Sequence, residues 1–159
     1  MKQQVIEAQL FADYFQFYLQ DDDIRKGNLE NVWTEDTVNR LLAVDRFAVH
    51  IGTVRNMFVP VTVNITGNEG IFLYDRYDLV NRCGLEIETG RIVIAGCVDN
   101  FQKARRIEML PGFYVLTIGY GNLDSLSDDG LDGDDFYDIF ITPADNMVDV
   151  STLKDTRKQ

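Results

Sequence analysis

Seven aspartates and no lysine or arginine fall within residues 121–138, GNLDSLSDDGLDGDDFYD, between two runs with strand-like patterning. Carboxylates packed this densely have two chemical uses. They can supply oxygen ligands to a hard cation such as Ca²⁺, or present negative charge that imitates nucleic-acid phosphates toward a basic cleft. The standard helix-loop-helix calcium loop needs glycine at its sixth position and a bidentate carboxylate at its twelfth. With Gly130 as the sixth position the first is Ser125 and the twelfth Phe136, and with Gly133 the third is Gly130 and the twelfth Ile139. Only an irregular calcium site stays open. The partner-binding reading rests on Asp128, Asp129, Asp132, Asp134 and Asp135; in an extended chain Asp132 and Asp134 project on the same side, roughly 6.6 Å apart. The competing reading is a passive, solvated loop, because Asp129-Gly130 and Asp132-Gly133 are turn dipeptides and like charges repel.

Elsewhere the chemistry is sparse. His50 is the only histidine, it falls on the polar and small face of its segment, and no serine or cysteine nearby in sequence makes a nucleophile motif with it; it reads as a surface histidine. One histidine with Cys83 and Cys97 is too few for a zinc site. Gly119, Gly121, Gly130 and Gly133 lack the lysine and hydroxyl residue of a phosphate-cradling loop. Glu86 and Glu88 could do acid-base work, but two acids on one strand face read first as a solvated face. Residues 74–78, Tyr-Asp-Arg-Tyr-Asp, and Lys103-Ala104-Arg105-Arg106 read as solvated loops with local ion pairs of small value. The chain is therefore expected to be non-enzymatic, with no cofactor and no bound metal as its first reading.

Composition narrows the partner. The 159 residues, 45% of them apolar, suit one compact domain over 1–159. A formal net charge of −11 disfavours direct binding to nucleic acid or to an anionic membrane and favours a basic protein. The run 92–98 is far shorter than the roughly 20 residues of a membrane span. No basic region leads into an apolar core at the N-terminus, so a cytoplasmic location is expected, with Cys83 and Cys97 as reduced thiols.

The elements that must carry the acidic segment are mostly strands. Phe11, Phe15, Phe17 and Leu19 line one side of a period-two pattern, interrupted on that side by Asp13, and predict a first strand, broken by Asp21-Asp22-Asp23 and Gly27-Asn28. Thr34 is placed to cap a short helix through Asp36, Val38, Leu41 and Leu42, with Trp33 just before the cap. Alternation resumes at Phe47, Val49 and Ile51, passes the bend Arg55-Asn56, and continues through Met57, Val59, Val61, Val63 and Ile65, where Pro60 predicts an edge or a bulge. Strands are further expected at 71–74, around Leu85 and Ile87, and over 91–98 after a hairpin turn Glu88-Thr89-Gly90. The 91–98 run does not alternate cleanly, which fits a strand buried on both faces. Ile107, Met109 and Pro111-Gly112 lead into 113–120, and 136–142 forms a last strand ended by Pro143, leaving 144–159 as a flexible tail. About eight strands with short turns and one short helix imply an antiparallel β-sandwich.

In the same order along the chain, Tyr14-Phe15-Gln16-Phe17, Trp33-Thr34, the strand 47–51 running into Arg55-Asn56, Leu110-Pro111-Gly112-Phe113-Tyr114-Val115-Leu116, and Tyr137-Asp138-Ile139 resemble the competence protein J family. That family contains the inhibitor of the bacterial DNA-entry nuclease. The resemblance implies a β-sandwich that binds another protein, with a nuclease as its sharpest form. It carries no residue assignment into the aspartate-rich segment, which departs from the family pattern.

Overall fold

A computed structural model of the chain describes residues 3–27 and 32–157. Asn28 of the expected break and residues 158–159 of the expected tail lie outside them. Eleven strands and one α-helix follow in order among the described residues: β1 (Gln4–Phe11), β2 (Gln16–Asp21), α1 (Glu35–Arg40), β3 (Leu42–Asp45), β4 (Ala48–Gly52), β5 (Phe58–Ile65), β6 (Leu79–Ile87), β7 (Arg91–Gly96), β8 (Arg105–Glu108), β9 (Gly112–Gly121), β10 (Phe136–Ala144) and β11 (Ser151–Asp155). They make a six-stranded sheet, β1-β5-β10-β9-β6-β11, packed on a five-stranded sheet, β3-β4-β2-β7-β8. The expected β-sandwich is the fold. One pair departs from antiparallel order, since β10 runs parallel to β5, so the larger sheet is mixed.

The period-two patterning is what builds the core. Val59, Val61, Val63 and Ile65 of β5 and Ile139 and Ile141 of β10 face Phe17, Leu19, Val49 and Ile51 of the other sheet in one buried cluster. Every second residue therefore leaves water, each fully buried aliphatic side chain contributing about 1.5–3 kcal/mol. β7 lies between β2 and β8 and is buried on both faces, as its unbroken apolar run requires.

Several expectations are corrected by the tertiary arrangement. The first strand is two strands in different sheets: Tyr14 and Phe15 sit at φ 56° and 59°, and this left-handed corner hands the chain from β1 to β2. Counted along the chain, the alternation across such a corner looks continuous. β5 is an interior strand, not an edge, and Pro60 is accommodated because pairing with β10 begins only at Val61. Residues 71–74 form no strand; the connection from β5 to β6 lies on the outer face of the larger sheet, where Phe72 packs edge-on against Phe140 and stacks on Tyr77. Glu88-Thr89-Gly90 is not a hairpin but a corner joining β6 to β7 in the opposite sheet. Its carboxylate anchor is Asp21, which accepts from the amides of Glu88 and Thr89 at 3.0 and 3.1 Å and from the Thr89 hydroxyl at 2.6 Å. β10 continues through Pro143, opposite Tyr114, because pairing with β5 has ended at Ile141 and the strand is by then paired on one side only. The stretch expected as a flexible tail contributes β11, which pairs with β6 through a bulge between Thr152 and Lys154.

Thr34 caps α1 as expected, in a reciprocal box with Thr37, and the helix stops at Leu41 in the left-handed region. Leu42 opens β3 instead of extending the helix. No helix among the described residues is long and apolar enough to cross a membrane.

Candidate functional site

Short corners set which loops meet. Residues 12–15 and 53–57 each join one sheet to the other, so they share one end of the sandwich with the loop 122–135 between β9 and β10. That loop is closed on itself. Asn122, at φ 52°, turns the chain, and the Leu123 amide donates to the Asp78 carboxylate at 2.8 Å while the Leu123 side chain joins the core. The two arms are then zipped by serines. The Asp134 amide donates to Ser125 Oγ at 2.8 Å, the Asp132 amide to Ser127 Oγ at 3.0 Å, and the Ser127 amide to the Asp132 carbonyl at 2.8 Å. At the tip Asp129 accepts from the Ser127 hydroxyl at 2.6 Å and the Leu131 amide at 3.0 Å, which holds its carboxyl below the usual carboxylate range. Gly130, at φ 75°, supplies the positive φ that the tip requires.

The five aspartates singled out from the sequence divide into two groups. Asp128, Asp129, Asp132 and Asp134 are exposed, and Asp124, which sequence reasoning passed over, is exposed beside them. Asp135 corrects the expectation of five outward carboxylates: it is 0% exposed. Its Oδ2 accepts from the Tyr137 hydroxyl at 2.8 Å, and Arg55 Nε approaches Oδ1 at 2.8 Å, off the N–H axis, so that contact is a charge pair rather than a directional hydrogen bond. Tyr137 in turn accepts from the Val54 amide at 3.0 Å. Burial and the adjacent carboxylate push the Tyr137 phenol up, which keeps it a donor at neutral pH.

The anchor extends to the aromatic corner. The Thr53 amide donates to the Phe15 carbonyl at 2.9 Å, so the strained Tyr14-Phe15 turn, the 53–57 connection and the acidic loop form one hydrogen-bonded rim. Arg55, Asp78, Ser125 and Ser127 are its structural residues. No local pattern marks them, because Arg55 and Asp78 meet partners far along the chain.

The remaining candidates resolve into structural roles. His50 is part-buried rather than on the surface, its ring stacked on Tyr18. Trp33 Nε1, which can only donate, lies 3.1 Å from Gln16 Oε1, so the same oxygen accepts from His50 Nδ1 at 3.0 Å. Burial then lowers the His50 pKa to about 4. Glu86 is paired with Arg46 and Glu88 lies 3.6 Å from Lys26, so the two acids do not work together. Arg106 pairs with Asp22 at 3.1 Å, and Tyr77 donates to Asp138 at 2.7 Å. Among the described residues no three histidine, cysteine or carboxylate side chains converge as a metal group, so the irregular calcium alternative finds no side-chain cage in the loop. A concavity of about 730 Å³ on the outer face of the larger sheet is lined by Asn64, Phe140, Thr117 and Arg82, residues of one cross-strand row, and lies apart from the acidic rim.

No family model and no curated protein sequence matches the chain. Solved structures do. ComJ from Bacillus subtilis, the inhibitor of the DNA degrading activity of NucA, is similar at a TM-score of 0.69 and 17% identity, over 91% of this chain and 100% of that one. The product of crocagin biosynthetic gene J is similar at a TM-score of 0.63 and 19% identity, over 90% of this chain and 99% of that one. The resemblance to the competence protein J family holds at the level of the fold.

Proposed function

We propose that this chain is a non-enzymatic protein-binding module that inhibits a nuclease, with the loop 122–135 entering the basic cleft that receives nucleic-acid phosphates. The observation that carries the reading is the loop itself: Asp128, Asp129, Asp132 and Asp134 are exposed on a hairpin whose arms are fixed by Ser125 and Ser127. A preformed array loses less conformational freedom on binding than a disordered acidic tail does. The ComJ-like fold supports a nuclease as the partner. A net charge of −11 steers a cationic surface toward the loop and repels free nucleic acid.

The mechanism is substitution of carboxylates for phosphates. Each exposed aspartate offers two acceptor oxygens to lysine or arginine side chains, and long-range attraction raises the association rate. Asp135 takes no part in contact; it holds the returning arm against Arg55. The test is DNA cleavage by NucA, with this protein added at low and at physiological ionic strength. Inhibition is expected to weaken as salt rises, and replacing Asp128, Asp129, Asp132 and Asp134 by asparagine should slow association by roughly tenfold or more. Full inhibition by that variant, or none by the wild type, would overturn the reading.

A further inference from the structure

The two sheets have four edges, and three of them are blunted among the described residues. β3 is four residues long and abuts α1. β8 is four residues, Arg-Arg-Ile-Glu, three of them charged. β11 is broken by its bulge. Short, charged or bulged edges are how soluble proteins prevent further pairing. β1 has none of these devices: it is eight residues, QVIEAQLF, paired with β5 in unbroken register from Gln4 opposite Ile65 to Phe11 opposite Phe58. It carries one charge, Glu7, and its exposed face includes Val5 at 55% exposure.

We propose that β1 pairs antiparallel with β1 of a second copy across a two-fold axis at Ala8, joining the two larger sheets into one. The occupant follows from the sequence of the strand. In that register Ala8 meets itself, Glu7 faces Gln9 of the other copy, Ile6 faces Leu10, and Val5 faces Phe11. No like charges stand opposite, a carboxylate meets an amide, and apolar residues meet apolar residues on both faces, which is how cross-strand pairs stabilise a sheet. Two-fold pairing makes each contact twice. A register that opposed Glu7 to Glu7 would place two carboxylates face to face.

The charge of the whole protein gives this dimer an unusual salt dependence. Two copies at −11 each repel, and added salt screens that repulsion. Dimerisation therefore strengthens as salt rises, opposite in sign to the binding of a basic partner.

Sedimentation equilibrium of the full chain at low and at raised ionic strength reads this directly. Gln9 is exposed, so its substitutions should leave the fold intact. Gln9→Glu puts a carboxylate opposite Glu7 twice and should weaken the dimer roughly 2- to 30-fold, while Gln9→Lys should tighten it within the same range. Asn39→Glu and Asn39→Lys, exposed on α1 by the opposite edge, make the same net-charge changes remote from β1 and should shift association far less. A wild-type monomer at every concentration and salt would overturn the proposal. So would equal effects at positions 9 and 39, or a dimer indifferent to Gln9. Pairing of β1 with a strand from a different protein would appear as the first of these outcomes.

Discussion

Removing Arg55 tests whether the acidic loop is held by a buried charge. Asp135 is 0% exposed and the Arg55 side chain 11%, so Arg55→Met, similar in reach and apolar, leaves a carboxylate with the Tyr137 hydroxyl as its one remaining hydrogen-bond donor. Breaking a buried pair from one side costs roughly 3–5 kcal/mol, whereas removing both charges is often nearly neutral. Against a total stability of about 5–15 kcal/mol, the single variant should lose a large share, with Tm falling by about 6–20 °C at roughly 2–4 °C per kcal/mol. Arg55→Met combined with Asp135→Asn should recover most of the loss. Urea unfolding of the two single variants and the double variant at neutral pH closes the cycle. Amide exchange over residues 123–134 should accelerate more in Arg55→Met than in the double variant, because the returning arm is tied down by this pair. An Arg55→Met protein within 1 kcal/mol of wild type, or a double variant no better than it, would refute the reasoning.

Two further perturbations follow from buried polar groups. His50 is neutral when folded, its pKa lowered by burial to about 4 from 6.5, so the unfolded chain takes up the proton first as pH falls. Its contribution is whole above pH 6.5 and is lost toward pH 4, by up to about 3 kcal/mol; His50→Gln should flatten the stability-pH slope in that window, and an unchanged slope would remove His50 from the account. For Asp21, burial opposes ionisation, but hydrogen bonds from Lys26, Thr89 and the Glu88 amide outweigh it and hold the carboxyl below 3.8. The stability this supplies is present above pH 3.8 and lost as pH falls through the folded value. Asp21→Ala should cost about 3 kcal/mol by removing the acceptor shared by five part-buried donors, the amides of Asp22, Glu88 and Thr89, the Thr89 hydroxyl and the Lys26 ammonium, and hydrogen exchange at Glu88 and Thr89 should rise before that of β6.

Period-two patterning carried most of the fold. Val59, Val61, Val63 and Ile65 could face one way only in a strand, and the Thr34 cap was readable because its partners lie within three residues. What patterning cannot show is which sheet a strand joins. The corner at Tyr14-Phe15 changes sheets without shifting the parity of the alternation, the turn residues 88–90 read equally well as a hairpin within one sheet, and β11 alternates weakly because an edge strand with a bulge buries little. Nor does sequence rank glycine-poor corners: nothing in Asp13-Tyr14-Phe15 announces two aromatic residues at positive φ, a conformation costing on the order of 1–3 kcal/mol each. The rim that includes them is held by the Thr53 amide, a contact between segments distant in sequence.

The division among the aspartates was partly open to the same reasoning. Tyr137, Ile139 and Ile141 of β10 face the core, and extending that parity back one step puts Asp135 inward while Asp134, one residue earlier, faces water. Parity names the buried acid but not its counter-charge. A lone inward carboxylate entering a core is untenable unless something neutralises it, so the inward position itself predicts a cation from another segment, and Arg55 fills that need across the sandwich end. The acidic loop thus answers two different demands on one residue type: Asp135 is fixed by the fold, and Asp128, Asp129, Asp132 and Asp134 are left exposed, which under the proposed function is where a partner is met. Substitutions at 135 should therefore lower stability and inhibition together, whereas substitutions at the other four should lower inhibition and leave the unfolding midpoint nearly unmoved.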